Sequence, residues 1–233
     1  MDLVPASFFT DDYDSHTNYK NHVLETLNNI VAKSDERIDE NSFYYSRSFV
    51  VYTDLYIKQV NLYSCGKHAS NKLCEIGFNA GHSALLFLLG RTKTPIDYTI
   101  FDIGTHTYTV PCLNYIKTAF PFATFEYVEG DSTSTMPSWI AAHPECIETY
   151  GLIHVDGGQT ESCVKSDIHC ADLLVKVNGI IIVNNTNISY INAQVDIYIA
   201  SGKYTELSIL PTKGCTHRVL QKVLGTNLVQ SSA

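Results

Sequence analysis

From residue 72 onward the chain predicts an α/β fold: a seven-stranded, mostly parallel sheet with helices on both faces and one antiparallel strand near the C-terminus. Three observations predict it. Short apolar runs alternate with stretches of helical spacing. The runs are almost continuously apolar, as strands are when helices cover both faces of a sheet. The final two runs, separated by Pro211 and Gly214, follow each other with no helical stretch between them, as in an antiparallel pair.

The elements follow in order. Asn18 to Lys33 carries Val23, Leu27, Ile30 and Val31 at helical spacing. Phe49 to Leu62 is also read as helix, because Val50, Leu55, Ile57, Val60 and Leu62 do not alternate. With the acidic first fifteen residues, read as loose, these helices form an N-terminal extension and cap, residues 1–69. Residues 70–233 form the main domain. Its strands are Leu73–Ile76, Tyr98–Asp102, Ala123–Val128, Tyr150–Val155, Ile180–Val183, Tyr204–Leu210 and His217–Val223. Its helices are Ser83–Leu89, Tyr108–Phe120, a short one from Ser138 to His143, and Thr160–Val177, with a turn at Asn178-Gly179.

Composition narrows the function. Hydrophobic residues make up 45% of the 233 and charged residues 17%, which excludes a wholly disordered chain. Twenty-four acidic residues against 16 basic give a net charge of −8. That is the reverse of the balance that binds phosphate backbones, so nucleic acid is not an expected partner. The seven cysteines are scattered without a C-x-x-C pair. They suggest reduced thiols rather than disulfides or a zinc ribbon, hence a cytoplasmic protein. Met1–Asp14 holds four aspartates and no Lys or Arg, unlike a secretory signal. Runs such as Ala84–Leu89 are too short to span a bilayer, so no membrane partner is expected. The glycosylation-like triplets starting at Asn184 and Asn187 are therefore read as chance.

Ligands of such sheets bind beyond the carboxyl ends of the strands. The first strand runs into Glu75-Ile-Gly77-Phe-Asn79-Ala-Gly81-His82-Ser83, where two glycines allow a tight turn and close backbone approach. The pattern is not G-x-G-x-x-G, so a dinucleotide pyrophosphate is not its natural occupant. The second strand ends in Asp102, 25 residues beyond Gly77, about where an acid meets ribose hydroxyls in doubly wound folds. The third ends in Gly130-Asp131-Ser132, offering a carboxylate and a hydroxyl to an adenine edge. The fourth ends in His154-Val155-Asp156-Gly157-Gly158-Gln159 and the fifth in Asn184-Asn185. Trp139 and the fifteen tyrosines read as packing rather than as a substrate wall.

Together these strand ends resemble the class I S-adenosylmethionine-dependent methyltransferases, Rossmann-like enzymes. The likeness is nearest to the small O-methyltransferase group that includes macrocin- and catechol-type enzymes, and it covers roughly residues 70 to 223. It implies that Gly77, Asn79 and Gly81, with Ser83, line the methionine part of the cofactor. Glu75 would orient the turn, Asp102 hold the ribose, and Asp131 and Ser132 flank the adenine, with Asp156 at the reacting end. The group often binds Mg²⁺ through an Asp after strand four and an acidic pair after strand five. Asp156, Asn184 and Asn185 stand at those positions, 28 residues apart from Asp156 to Asn184. Asn184 replaces a carboxylate, and Gln159 stands where the group often has His. Mg²⁺ favours anionic oxygens and Gln is no base, so a weak or vestigial metal site is expected, with Asp156 or His154 as the base. Restoring Asp at position 184 is expected to raise divalent-ion affinity.

The expected activity is methyl transfer to a hydroxyl of a small molecule or sugar. The alternative is a catalytically weakened S-adenosylmethionine-binding protein acting as a regulatory or interaction subunit. A nucleotide enzyme of other chemistry is disfavoured because no P-loop or dinucleotide fingerprint is present. A small-molecule acceptor is the expected partner, and a homodimer is allowed for.

Overall fold

The computed structural model describes residues 12–37, 41–43, 52–91, 94–207 and 216–225. Its strands are β1 (Lys72–Ile76), β2 (Ile96–Asp102), β3 (Ala123–Glu129), β4 (Tyr150–Val155), β5 (Val175–Asn184), β6 (Tyr204–Glu206) and β7 (His217–Lys222). They form one seven-stranded sheet in the order β3-β2-β1-β4-β5-β7-β6. Strands β1 to β5 pair in parallel, and β7 runs antiparallel to both β5 and β6. The predicted fold class is the observed one, with β7 as the antiparallel strand.

Alternate residues of each central strand feed two separate cores. Tyr98, Ile100, Leu152, Ile180, Ile182 and Val219 belong to one. Phe101, Ile153, Ile181, Val183 and Leu220 belong to the other. The first core is covered by α1 (Thr17–Ala32), α2 (Tyr52–His68), α3 (His82–Leu89) and α4 (Thr109–Ala119). Helix α3 is buried at all eight positions, as the apolar run from Ala84 to Leu89 requires, because α1 and α2 lie over it. In α1 the buried residues Lys20, Val23, Leu27 and Val31 recur every three or four positions, and the apolar three join the same core as Leu85 and Leu73. The second core is covered by α5 (Ser132–Ala142), α6 (Glu161–Leu174) and α7 (Ser189–Ala200). Among the described residues, no helix is long and apolar enough to cross a membrane.

Several boundaries differ from expectation. Helix α5 begins at Ser132 rather than Ser138, because the Asp131 carboxylate caps it by accepting from the Thr133 N–H at 2.9 Å. Pro137 sits within it, where its missing N–H interrupts one bond without ending the helix. Helix α6 stops at Leu174, and the chain passes directly into β5 at Val175. The expected turn at Asn178-Gly179 is instead an irregularity inside β5, with Asn178 at φ +65°. No element is expected between Asn187 and Tyr204, yet α7 lies there, burying Ile191 and Val195. Residues 13–16 form a 3-10 turn rather than loose chain. Tyr13 is buried against Tyr56 and Tyr63, and Asp12 pairs with Lys67. The expected helical residues Phe49–Val51 and the expected end of the sixth strand, Ser208–Leu210, lie outside the described residues.

Candidate active site

The strand order reverses between β1 and β4, and a crevice opens at their carboxyl ends. The turn after β1 is fixed by its backbone. Gly77 has φ +88° and donates its N–H to the Phe101 carbonyl at 2.8 Å. A Cβ at Gly77 would lie 2.2 Å from the Asp156 carbonyl oxygen, so only glycine lets the β1 and β4 ends close on each other. Asn79, at φ +53°, donates its N–H to Asp102 Oδ2 at 2.8 Å and accepts from the Tyr108 hydroxyl at 2.7 Å. The other Asp102 oxygen accepts from the Gly104 N–H at 2.8 Å. Asp102 thus ties the first turn to the second while facing the crevice.

Beneath the turn lies Glu75, fully buried, accepting from the Ser83 hydroxyl, from the Tyr98 hydroxyl at 2.8 Å and from His154 Nδ1 at 2.9 Å. Three donors on one buried carboxylate are what its ionised form needs. The His154 ring packs edge-on against Phe87 of α3 and is fully buried. Its Nε2 has no hydrogen-bond partner among the described residues and points towards Asp156 Oδ2 at 3.8 Å.

A cavity of about 570 Å³ fills the crevice, within the usual range for a small-molecule site. Gly77, Asn79, Ser83, Asp102, Asp131, Ser132 and Asp156 all lie on its wall. Glu75, Gly81 and His154 lie behind it. Asn184 and Asn185 share a second, smaller cleft with Asp156. Residues not singled out from the sequence also reach the cavity. Asn41 and Ser42 come from the N-terminal segment, and Ile103, Thr105 and His106 from the loop after β2. His106 is held by Glu36 at 2.7 Å and stacks on Tyr108. The Thr107 hydroxyl, above all, and His106 hold the Glu36 carboxyl down to about 2. No local pattern announces these residues, because chain segments distant in sequence bring them in.

Charge defines what the cavity suits. The wall carries three carboxylates, Asp102, Asp131 and Asp156, and among the described residues lining it there is no Lys or Arg. Its His82 is pushed down to about 4 by burial and so stays neutral at pH 7. Such a wall favours a cation and hydroxyl donors, and opposes phosphates. Sulfonium and ribose groups fit it.

A divalent ion does not fit the Asp156–Asn184–Asn185 set. Asn184 turns its Nδ2 to Asp156 Oδ1 at 2.6 Å and its Oδ1 to the Lys58 ammonium at 2.9 Å. The two side-chain oxygens therefore do not converge, and a cation already stands against one of them. Asn185 is held by its own turn, at φ +56°, with its carbonyl accepting from the Ile188 N–H. Among the described residues, no cluster of three or more His, Cys, Asp or Glu is arranged to hold a metal.

Comparison with known proteins agrees with the geometry. Residues 74–186 match a family model described as a methyltransferase domain. An O-methyltransferase from Bacillus cereus, solved in complex with S-adenosylhomocysteine, is 16% identical over 94% of this chain and 95% of that one, with a TM-score of 0.59. A TDP-rhamnose 3'-O-methyltransferase of calicheamicin biosynthesis is 14% identical, covering 93% and 98%, with a TM-score of 0.57. The O-methyltransferase NovP is 14% identical, covering 90% and 100%, with a TM-score of 0.54. At such identities the likeness establishes the fold. No curated protein matches the sequence. The family match runs from within β1 to just past β5 and takes in the strands β1 to β4 whose ends build the acid-lined cavity, so that part of the chain is similar to a methyltransferase domain.

Proposed function

We propose that the protein transfers a methyl group from S-adenosylmethionine to a hydroxyl of a small molecule or sugar. The observation that carries this is the acid-lined cavity at the ends of β1 to β4. When bound, the cofactor supplies an electrophilic methyl on a sulfonium. The turn from Gly77 to Gly81, supported by Ser83 and Glu75, lies against the methionine part. Asp102 keeps lone pairs beyond the two backbone N–H groups it serves, and these accept from the ribose hydroxyls. Asp131 and Ser132 flank the adenine.

Asp156 stands at the reacting end, where its Oδ2 takes the acceptor's proton as the new O–C bond forms. Bound S-adenosylmethionine would supply the methyl, with the C–S electron pair staying on its sulfur. His154 does not reach the cavity; it stands behind Asp156, with its Nε2 3.8 Å from Asp156 Oδ2 and not hydrogen-bonded to it. Residues 1–69 act as a cap that shapes the acceptor end, and Asn41 and Ser42 on the wall support this.

A second reading has one observation in its favour. Asp156 already spends one oxygen on Asn184, and Gln159 offers no base beside it. A protein so built binds the cofactor without turnover and serves as a regulatory or interaction subunit. Calorimetry with S-adenosylmethionine and S-adenosylhomocysteine tests the shared part, and failure of both to bind would sink both readings. Transfer of a labelled methyl group to any member of a catechol, phenol and sugar panel selects the first reading. Binding without transfer across the panel selects the second.

A further inference from the structure

We propose that Lys58 is a built-in cation occupying the electrostatic place that a divalent ion takes in metal-dependent O-methyltransferases, and that it acts through Asn184 on Asp156. This rests on the methyl-transfer reading above.

The argument begins with the buried chain of contacts. Lys58 lies on α2, is 7% exposed, and meets Asn184 across 126 residues of sequence. Asn184 is 8% exposed at the carboxyl end of β5. Its amide orientation is fixed by chemistry, because the ammonium can only donate and the Asp156 carboxylate can only accept. Flipping it would set NH₂ against the ammonium and C=O against the carboxylate. Asn184 therefore relays between a buried cation and a carboxylate on the cavity wall.

The relay explains why a neutral residue is suited to position 184. A buried ammonium is stabilised by nearby anions, and the Asp156 carboxylate lies on the far side of the Asn184 amide from Lys58. A carboxylate at 184 would pair with Lys58 directly and release Asp156 from the relay. Lys58 also has a neutral neighbour. His217, opposite Asn184 in the β5–β7 register, is pushed down to about 3, mainly by burial and then by the Lys58 charge. Burial more than the Lys58 charge keeps His217 neutral, and a divalent ion placed beside Lys58 would meet the repulsion of that ammonium.

For the reaction, a fixed positive charge behind Asp156 favours negative charge developing on the acceptor oxygen, at the expense of some basicity in the Asp156 carboxylate. It requires no exchange of metal-bound water. Lys58 is a positioning residue here, acting through Asn184.

The test uses Mn²⁺ alone as the probe, titrated by electron paramagnetic resonance into the unmodified protein, N184D, K58M and K58M/N184D. The unmodified protein and K58M are expected to show no saturable site. N184D is expected to gain little, because Lys58 pairs with the introduced carboxylate. K58M/N184D is expected to bind one equivalent at least tenfold more tightly than N184D. Saturable binding by the unmodified protein would overturn the proposal, and so would N184D binding as tightly as the double variant. A folded double variant that gains nothing would also overturn it. Should the double variant not fold, K58Q/N184D takes its place, and the unmodified protein still decides the first arm. Calorimetry with S-adenosylhomocysteine on the same samples keeps the two ideas apart. Its failure with unmodified protein rejects the methyl-transfer reading, whereas the Mn²⁺ series alone decides the role of Lys58.

Discussion

Asp102 does two jobs with one carboxylate. It binds the backbone of both the Gly77 turn and the Gly104 turn, and it faces the cavity. Asp102→Ala should therefore weaken S-adenosylhomocysteine binding by about 1.5–3 kcal/mol, the usual worth of a hydrogen bond to a charged group. Calorimetry checks this, and unchanged affinity would remove Asp102 from the site. Asp167 poses the opposite problem. It is 1% exposed on α6, and neither oxygen has a hydrogen-bond partner among the described residues. Burial, against a smaller opposing pull from Ser132, raises its carboxyl from 3.8 to about 6. The folded state therefore holds that proton more tightly than the unfolded one. Stability from this group is complete below pH 3.8 and is lost as the pH rises through about 6. Asp167→Asn should stabilise the fold at pH 7–8 by on the order of 1–3 kcal/mol, with the gain vanishing near pH 4. Thermal melts at the two pH values read the difference.

At the scale of elements, the β1–α3 turn is the part whose geometry tolerates least. Gly77 combines a left-handed φ of +88° with the 2.2 Å approach that a Cβ would make to the Asp156 backbone. Gly77→Ala should cost more than about 1 kcal/mol of stability, since both the backbone angle and the contact oppose it. It should also abolish detectable S-adenosylhomocysteine binding, because relief requires the β1 and β4 ends to part. A variant with unaltered melting and binding would show the turn to be slack. Alanine at Gly202 is a useful control. That glycine is also left-handed, at φ +72°, but a Cβ there would meet nothing within 4 Å, so only the backbone cost applies.

For the molecule as a whole, the N-terminal helices meet α3 and the sheet through buried imidazoles. His82 faces Asn28 of α1 at 3.2 Å, and His217 faces Asn61 of α2 at 3.0 Å. Burial depresses them to about 4 and about 3, from an ordinary 6.5. The folded state holds both neutral, so their contribution is complete above pH 6.5 and is lost as the pH falls towards those values. Stability should fall as the pH is lowered from 6.5 towards 4, against the smaller opposite effect of Asp167. His217→Gln, which still accepts from Asn61, should flatten the curve. A denaturant series across pH measures it, and an unchanged pH slope in the variant would clear His217 of the effect.

The sequence by itself determined the α/β class, the succession of strands along the chain, and the polar strand ends. These are local matters. A buried strand must be apolar on both faces, and a glycine turn must contain its glycines, so each is written within a few residues. Boundaries were legible only where no tertiary contact overrode local pattern. Helix α6 ends at Leu174 because the chain joins β4 there as β5, which the apolar spacing of Val164 to Val175 does not reveal. The seven cavity-wall residues among those expected at the cofactor site were readable because one topological rule gathers strand ends. What only the tertiary structure decided was which side chains face one another across that sheet end. His154 turns inward to Glu75 because their strands pair in register, and alternation along β4 sends Val155 to the other core. Lys58 reaches Asn184 only because α2 packs over the sheet. A charge 126 residues away from Asn184 leaves no mark in the local sequence, yet it stands one amide away from Asp156.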